Sequence, residues 1–345
     1  MVRITDVARA ANVSPATVSR VLNQPDIVVP EKRERVLAAI RALNYSPNTL
    51  AHGLRAGAVK TVSLLVGDIS QPFHGAFAKA IDKVGERLGY HVLLRDLDHS
   101  EDRLVRVLNE LRPSDTYGVV IATADDLSVP RVRAAIATAQ ERGLFVVSSA
   151  QIVDDSVPSI VPRYQAISHL ATVHLATAGV WPIIFLGGSD SSPLSRERRE
   201  GFERASAELG HDDAARWMLD GQFAVDESRH QVDALLSREL GKGIRLDASR
   251  LGIIAVNMRM AIGALQAITD RSLSVPQDVA LVCCEDLPLA SEWRPSVTTV
   301  GIDFAVLAEA CFASLVAGKD APPVTYLSHK ITVRNSSRIA EPDQG

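Results

Sequence analysis

The residues near the N-terminus best equipped for chemistry share one helical stretch: Pro15, Ala16, Thr17, Ser19, Arg20 and Asn23, with Ser14 just ahead of them. They are small, polar or basic. Their spacing puts them on the outward side of a helix whose inward side carries Val18, Val21 and Leu22. Such a surface fits the major groove of DNA. Arg20 is the candidate for a direct base contact to guanine. Ser14, Thr17, Ser19 and Asn23 suit phosphates, which position rather than specify. Pro15 and Ala16 offer apolar contact, for instance to a thymine methyl. The alternative is a plain helical hairpin with the same residues present for solubility.

Two helices and a turn must hold that row. Thr5 and Asp6 offer N-cap chemistry to a first helix with Val7, Ala8 and Ala11 on one face. Asn12 breaks the pattern and tolerates a turn conformation. Ser14-Pro15 restarts it, a serine cap followed by proline at the first helical position. A third helix is expected from Glu31 to Leu43, with Pro30 at its start and Val36, Leu37, Ile40 and Leu43 on one face. Three helices can bury a small shared core where two cannot.

The stretch DVARAANVSPATVSRVLN, then EKRERVLAAIRALNYSPNTLAHGLRAG, resembles the headpiece of the lac repressor family of bacterial transcription regulators. The resemblance runs without a gap over residues 3 to 57 and continues more weakly to about residue 340. It implies a DNA-binding headpiece over 1–57, with the helix-turn-helix motif at 4–23 and a hinge helix at 47–57. Asn48 joins the DNA contacts by the same resemblance. Paired hinge helices would lie in the minor groove, with Leu54 wedged into the central base step. Unstacking costs a few kcal/mol and permits a bend with more contacts. Thr49 to Ala56 is short for an isolated helix, and Gly53 costs it roughly a further 1 kcal/mol relative to alanine. A flexible linker with an incidental leucine is the alternative there.

Charge divides in the same place. Residues 1–60 carry +5, while the net charge of all 345 residues is −4, leaving −9 on the remainder. A basic head on an acidic body suits a chain that puts one end on a polyanion. Hydrophobic content of 46% is ample for real cores. No apolar run reaches a membrane span, and no signal peptide is visible behind MVRITD. Cys283, Cys284 and Cys311 are odd in number and include an adjacent pair. Neither a disulfide framework nor a zinc site is indicated, and a reducing cytoplasm is the expected compartment.

From Thr61 strands and helices alternate, which implies parallel sheets with helices on both faces. The fold class expected is an all-α headpiece plus an α/β core of two doubly wound subdomains, resembling a periplasmic sugar-binding protein. The core spans 60–345. Its N-subdomain is placed at about 60–160 and 292–322, and its C-subdomain at about 161–291 and 323–340, with crossings near 150–162, 287–296 and 320–328. Inward residues of the helix His74 to Leu88 are Phe77, Ala80, Ile81, Val84 and Leu88. Ligands in such sheets sit outside the carboxyl ends of the strands, so two facing halves enclose a cleft.

Nothing in the core reads as catalytic. It has no G-x-S-x-G elbow, no P-loop and no metal-spaced cluster, and no cofactor is expected. Gly187-Gly188-Ser189-Asp190 lacks the rest of a nucleotide fingerprint and reads as a loop at the cleft mouth. The resemblance nominates effector contacts instead. Arg198, in the RxxGF signature Arg198 to Phe202, matches an arginine that holds a sugar hydroxyl or a carboxylate. Asn257 matches a cleft asparagine, and Glu285 falls where an aspartate usually accepts hydroxyl hydrogen bonds. Phe73 and Phe304 match positions that give the cleft an apolar face; core packing is the alternative for both.

Departures from the family pattern cluster at this cleft: Asn257-Met258, Cys283-Cys284-Glu285-Asp286, Arg163-Tyr164 and Gly179-Val180. They put a neutral-sugar effector in doubt, and Arg163, if it points inward, favours an anionic ligand. The function this implies is a repressor. It would bind palindromic double-stranded operator DNA as a homodimer, under control of a carbohydrate-type effector. Control by a protein partner, or by none, is the rival. A sugar-binding receptor that never touches DNA is a second.

Overall fold

The computed structural model describes residues 4–23, 28–43, 60–189, 192–211, 213–240 and 251–338. The chain divides into two units, Met1–Val59 and Lys60–Gly345. Expectations for Asn48, Leu54 and the hinge fall outside the described residues.

In the first unit, α1 (Ile4–Ala10), α2 (Pro15–Asn23) and α3 (Pro30–Ala42) close over Val7, Ala8, Ala11, Val18, Val21, Val36 and Ala39. Asn12 adopts φ 53°, a left-handed turn that asparagine accepts more readily than most residues. Two expectations shift. Helix α1 begins at Ile4, so Thr5 and Asp6 lie inside its first turn rather than capping it. Asp6 complements the positive helix terminus there and lies 3.6 Å from Arg9. In α3 it is Ala39, not Leu37, that turns inward. Leu37 is 37% exposed because the helical period carries the buried stripe through Val36, Ala39, Ile40 and Leu43.

The second unit contains two sheets. In the first the strand order is β11-β5-β4-β3-β1-β2, formed by Val324–Leu327, Ser159–Pro162, Phe145–Ser148, Gly118–Ala122, Thr61–Val66 and His91–Asp96. All its pairings are parallel. Successive residues of β1 serve opposite faces. Leu64 and Val66 pack with Phe77 and Ile81 of α4 (Pro72–Leu88), while Leu65 packs with Leu104 and Leu108 of α5 (Glu101–Glu110) and Ile136 of α6 (Pro130–Glu141). That double burial explains why Val62, Leu64, Leu65 and Val66 of TVSLLV are apolar on both faces, and why the buried Ser63 is hydrogen-bonded to Thr116. Leu88, expected inward, is 45% exposed, being the last residue of α4 before the left-handed Gly89.

The second sheet runs β12-β10-β9-β8-β6-β7, from Lys330–Thr332, Thr298–Gly301, Val279–Cys283, Leu251–Ala255, Ile183–Gly187 and Met218–Asp220. Its helices are α7 (Tyr164–Thr177), α8 (Pro193–Glu208), α9 (Val225–Leu240), α10 (Met258–Asp270) and the short α11 (Leu289–Glu292). Helix α12 (Phe304–Ala317) returns to pack on α4 and the first sheet. Only the β10–β12 pairing is antiparallel among the described residues.

The chain therefore crosses between sheets near 163, 302–303 and 328–329. The expected boundaries move accordingly. Segment 292–301 stays with the second sheet, because β10 pairs with β9. Segment 323–327 stays with the first, because β11 pairs with β5. Residues 324–332 thus form two strands, one in each sheet. No described helix is long and apolar enough to cross a membrane.

Candidate functional site

Two surfaces carry the nominated residues. On α2 the cap has the expected geometry: the Ser14 hydroxyl accepts from the Thr17 amide at 3.2 Å, and Pro15 occupies the first helical position. Ser14, Pro15, Ala16 and Arg20 are exposed and Thr17 half-buried, while Val18 and Val21 are buried. Ser19 and Asn23 lie on the same helix. The unit thus shows solvent a row of small, polar and basic groups backed by a fixed apolar core.

The second surface follows from strand order. Each sheet reverses direction of winding beside its first strand, at β1/β3 and at β6/β8, and ligand crevices form outside the strand ends at such switch points. Loops from both switch points line one cavity of about 90 Å³. From the second half come Tyr164, Leu194, Arg198, Phe223, Asn257 and Glu285; from the first come Gln71, Phe73, His74, His99 and Thr123, with small alanines between.

Arg198 is buried, at 8% exposure. Helix α8 brings it there because Gly201 allows close approach to α7. A Cβ on Gly201 would lie 2.0 Å from the Gln165 carbonyl oxygen. The guanidinium rests 4.5 Å from the centre of the Tyr164 ring, and its Nε has no hydrogen-bond acceptor among the described residues. Burial pushes the Tyr164 hydroxyl up to about 12, so it stays neutral.

Asn257 and Glu285 both serve the N-terminus of α10. Asn257 Oδ1 accepts from the Met260 amide at 2.8 Å, and Glu285 Oε2 accepts from the Met258 amide at 3.0 Å. Among the described residues, no hydrogen bond engages the Asn257 amide nitrogen or Glu285 Oε1. Burial pushes Glu285 up to about 7, against the opposing pull of the Met258 amide and Arg198. Its neighbour Asp286 points elsewhere. It accepts from Thr299 at 2.7 Å and pairs with Arg334 at 3.1 Å, tying β9, β10 and β12 together.

The first half adds groups that sequence reasoning did not find. His74 is buried and holds its Nδ1 2.7 Å from the Asp68 carbonyl oxygen. Burial lowers its proton affinity. His99 places Nδ1 2.9 Å from Asp125 Oδ1, and that hydrogen bond raises its proton affinity. Asp125 also accepts from the Thr123 hydroxyl at 2.5 Å. Burial works against its ionised form, but the bonds from His99 and Thr123 outweigh that and hold its carboxyl below the usual range. These histidines were illegible because β2, β3 and α4 bring them together from distant parts of the chain. Phe223 was missed as well. It sits at φ 55° with its ring against Gly188, where a Cβ would lie 2.2 Å from Cζ.

Among the sequence-nominated residues, Phe73, Arg198, Asn257 and Glu285 line the cavity. Phe304 stands behind it, its ring 5.0 Å from that of Phe73. Arg163 does not point inward. It is exposed, with its guanidinium 4.3 Å from the Tyr326 ring on the edge strand β11, so it gives no reason for an anionic ligand.

Residues 3–48 match the family described as bacterial regulatory proteins, lacI family, and residues 172–337 match a periplasmic binding protein-like domain. The chain is 30% identical over 307 residues to the ribose operon repressor of Halalkalibacterium halodurans, covering 87% of this chain and 85% of that one. It is 28% identical over 301 residues to catabolite control protein A of Priestia megaterium, covering 87% of each. Its fold matches the crystal structure of the lac repressor dimer bound to operator and the anti-inducer ONPF. That match has a TM-score of 0.81 and 25% identity, and covers 97% of this chain and 99% of that one.

Proposed function

Because the chain belongs to the bacterial lacI family of regulatory proteins, we propose that it is a transcriptional repressor that reads a palindromic operator as a homodimer. Its operator affinity is set by a small carbohydrate-type effector in the core cavity. The observation that carries this reading is the capped helix α2, whose exposed row Ser14, Pro15, Ala16 and Arg20 is backed by a closed core. Arg20 makes the base contact, bidentate to guanine. Ser14, Thr17, Ser19 and Asn23 hold phosphates, Pro15 and Ala16 meet apolar base edges, and Asn48 and Leu54 act in the minor groove. Two-fold symmetry of the protein matches two-fold symmetry of the site.

In the cavity, Arg198, Asn257 and Glu285 supply the polar contacts of the effector, and Phe73, backed by Phe304, supplies its apolar face. The naming of one relative for a ribose operon, and of a matching structure for operator and anti-inducer together, supports an effector of the sugar class. A ligand that touches both halves favours one angle between them. Coupling of that angle to operator affinity is typically ~1–3 kcal/mol and reciprocal. The chain is not an enzyme in this reading, and acts in the cytoplasm, on the nucleoid while operator-bound.

The test is selection of binding sequences from a pool of random duplexes at two salt concentrations. The proposal expects a palindrome with a central pyrimidine–purine step and affinity that falls steeply with salt. Recovery of no sequence, with binding flat in salt, would refute it.

A further inference from the structure

We propose that the effector carries an acidic group, a carboxylate or a phosphate on a polyol frame, and that His99 contacts it from the half of the cleft opposite Arg198. This rests on reading the cavity as the effector site. It deepens that reading by replacing Arg163, which faces away, with groups that line the cavity.

Arg198 is the first support. The residue is more than nine-tenths buried, one face of its guanidinium is taken by Tyr164, and its buried Nε meets no acceptor among the described residues. No described carboxylate lies within ion-pairing distance of it; Glu285 feels its charge only from farther off, so direct acceptor contact at the guanidinium is open to a ligand. An unpaired buried cation is costly, and acceptor-only oxygens relieve that cost best.

His99 is the second. Its Nδ1–H donates to Asp125, and Asp125 is itself fixed by Thr123. The ring is therefore oriented with Nε2 as its remaining polar atom, a donor whenever the ring is protonated. It packs against the end of β1, where a Cβ on Gly67 would meet His99 Cε1 at 3.1 Å and Thr123 Oγ1 at 2.7 Å. His74 is the complement. Its Nδ1 donates to the Asp68 carbonyl, so its neutral ring offers Nε2 as an acceptor. One imidazole that donates when protonated and one neutral acceptor on the same wall suit an acid oxygen beside a hydroxyl.

The charges around these groups fix the direction of the pH dependence. His99 faces Asp125, Asp68, Asp96 and His74. Glu285 faces Arg198, the Met258 amide, Tyr164 and the thiols of Cys283 and Cys284. Asp68 also feels Arg259. Raising pH takes a proton from His99 and from Glu285, which removes positive charge from one wall and adds negative charge to the other. An acidic ligand then loses affinity, while a neutral polyol does not.

The test is calorimetric titration of the full chain with matched probes: glucose against gluconate and glucose 6-phosphate, galactose against galacturonate, ribose against ribose 5-phosphate. Each is run at about pH 6 and about pH 8, on wild type and His99→Gln. The proposal expects an acid probe to bind about tenfold or more tighter than its neutral parent, and to lose about tenfold at the higher pH. His99→Gln should remove most of both differences, and the carboxylate and phosphate arms show which acid is taken. Neutral parents binding as well as the acids, no probe binding at all, or His99→Gln matching wild type would each overturn it. Operator binding by the same preparation separates the two readings. Operator binding without acid preference overturns this inference alone, and failure to bind any duplex overturns the repressor reading instead.

Discussion

The guanidinium of Arg198 lies 4.5 Å from the centre of the Tyr164 ring, with its Nε buried and unpartnered among the described residues. A cation–π contact contributes about 0.5–2 kcal/mol. Desolvating an unpaired ion costs several kcal/mol. The arginine is thus held at the expense of stability, as expected of a group kept for a ligand. Arg198→Met keeps the volume and removes the charge. It should leave urea stability unchanged or raise it by about 1 kcal/mol. A loss above about 2 kcal/mol would make Arg198 a structural residue.

Glu285 titrates at about 7 in the folded core against 4.5 for the free side chain. A carboxyl with a raised folded pKa holds its proton more tightly when folded. Its contribution is full below about pH 4.5, is lost as pH rises to about 7, and is flat beyond. Glu285→Gln keeps an acceptor for the Met258 amide and abolishes that loss. The stability of the variant relative to wild type should therefore increase between about pH 5 and about pH 8. A difference that stays constant, or shrinks, would show that Glu285 is not desolvated.

The adjacent Asp286 should behave oppositely. It is paired with Arg334, and both side chains are mostly buried, at 14% and 18% exposure. Removing one partner strands the other. Asp286→Ala is expected to cost about 3–5 kcal/mol in urea unfolding, with the charge on Arg334 left uncompensated. A cost below about 1 kcal/mol would mean the pair is effectively solvated.

Gly188 makes room for Phe223. A Cβ there would lie 2.2 Å from the ring, so Gly188→Ala must displace it from the cavity wall. Overpacking of this kind costs about 1–3 kcal/mol. In a Phe223→Ala background the same change should cost little, because the clash is gone. A double-mutant cycle with no coupling would contradict the packing described.

Much of this was visible in the order of residues, and the failures have physical causes. Ser14-Pro15 announces a helix start because cap chemistry is local, and the structure shows that cap bond. Sheet membership is not local. Nothing in VTYLSHKIT tells that Val324–Leu327 and Lys330–Thr332 join different sheets, since the partners Ser159–Pro162 and Thr298–Gly301 are distant in sequence. Arg163 and Arg198 look alike as sequence. One stacks outside on Tyr326 and the other inside on Tyr164, a difference set by the neighbouring elements. His99 and Asp125 stand 26 residues apart in two loops, and only the parallel β2-β1-β3 order makes them partners.

The most direct test of the central claim is fluorescence anisotropy on the duplex recovered by selection and on a scrambled duplex, comparing wild type with Arg20→Ala. Arg20→Ala should lose about 1–3 kcal/mol on the recovered duplex, roughly 5- to 150-fold, and much less on the scrambled one. Equal losses on both would show that Arg20 holds phosphates rather than bases, and would contradict α2 as the element that reads the operator.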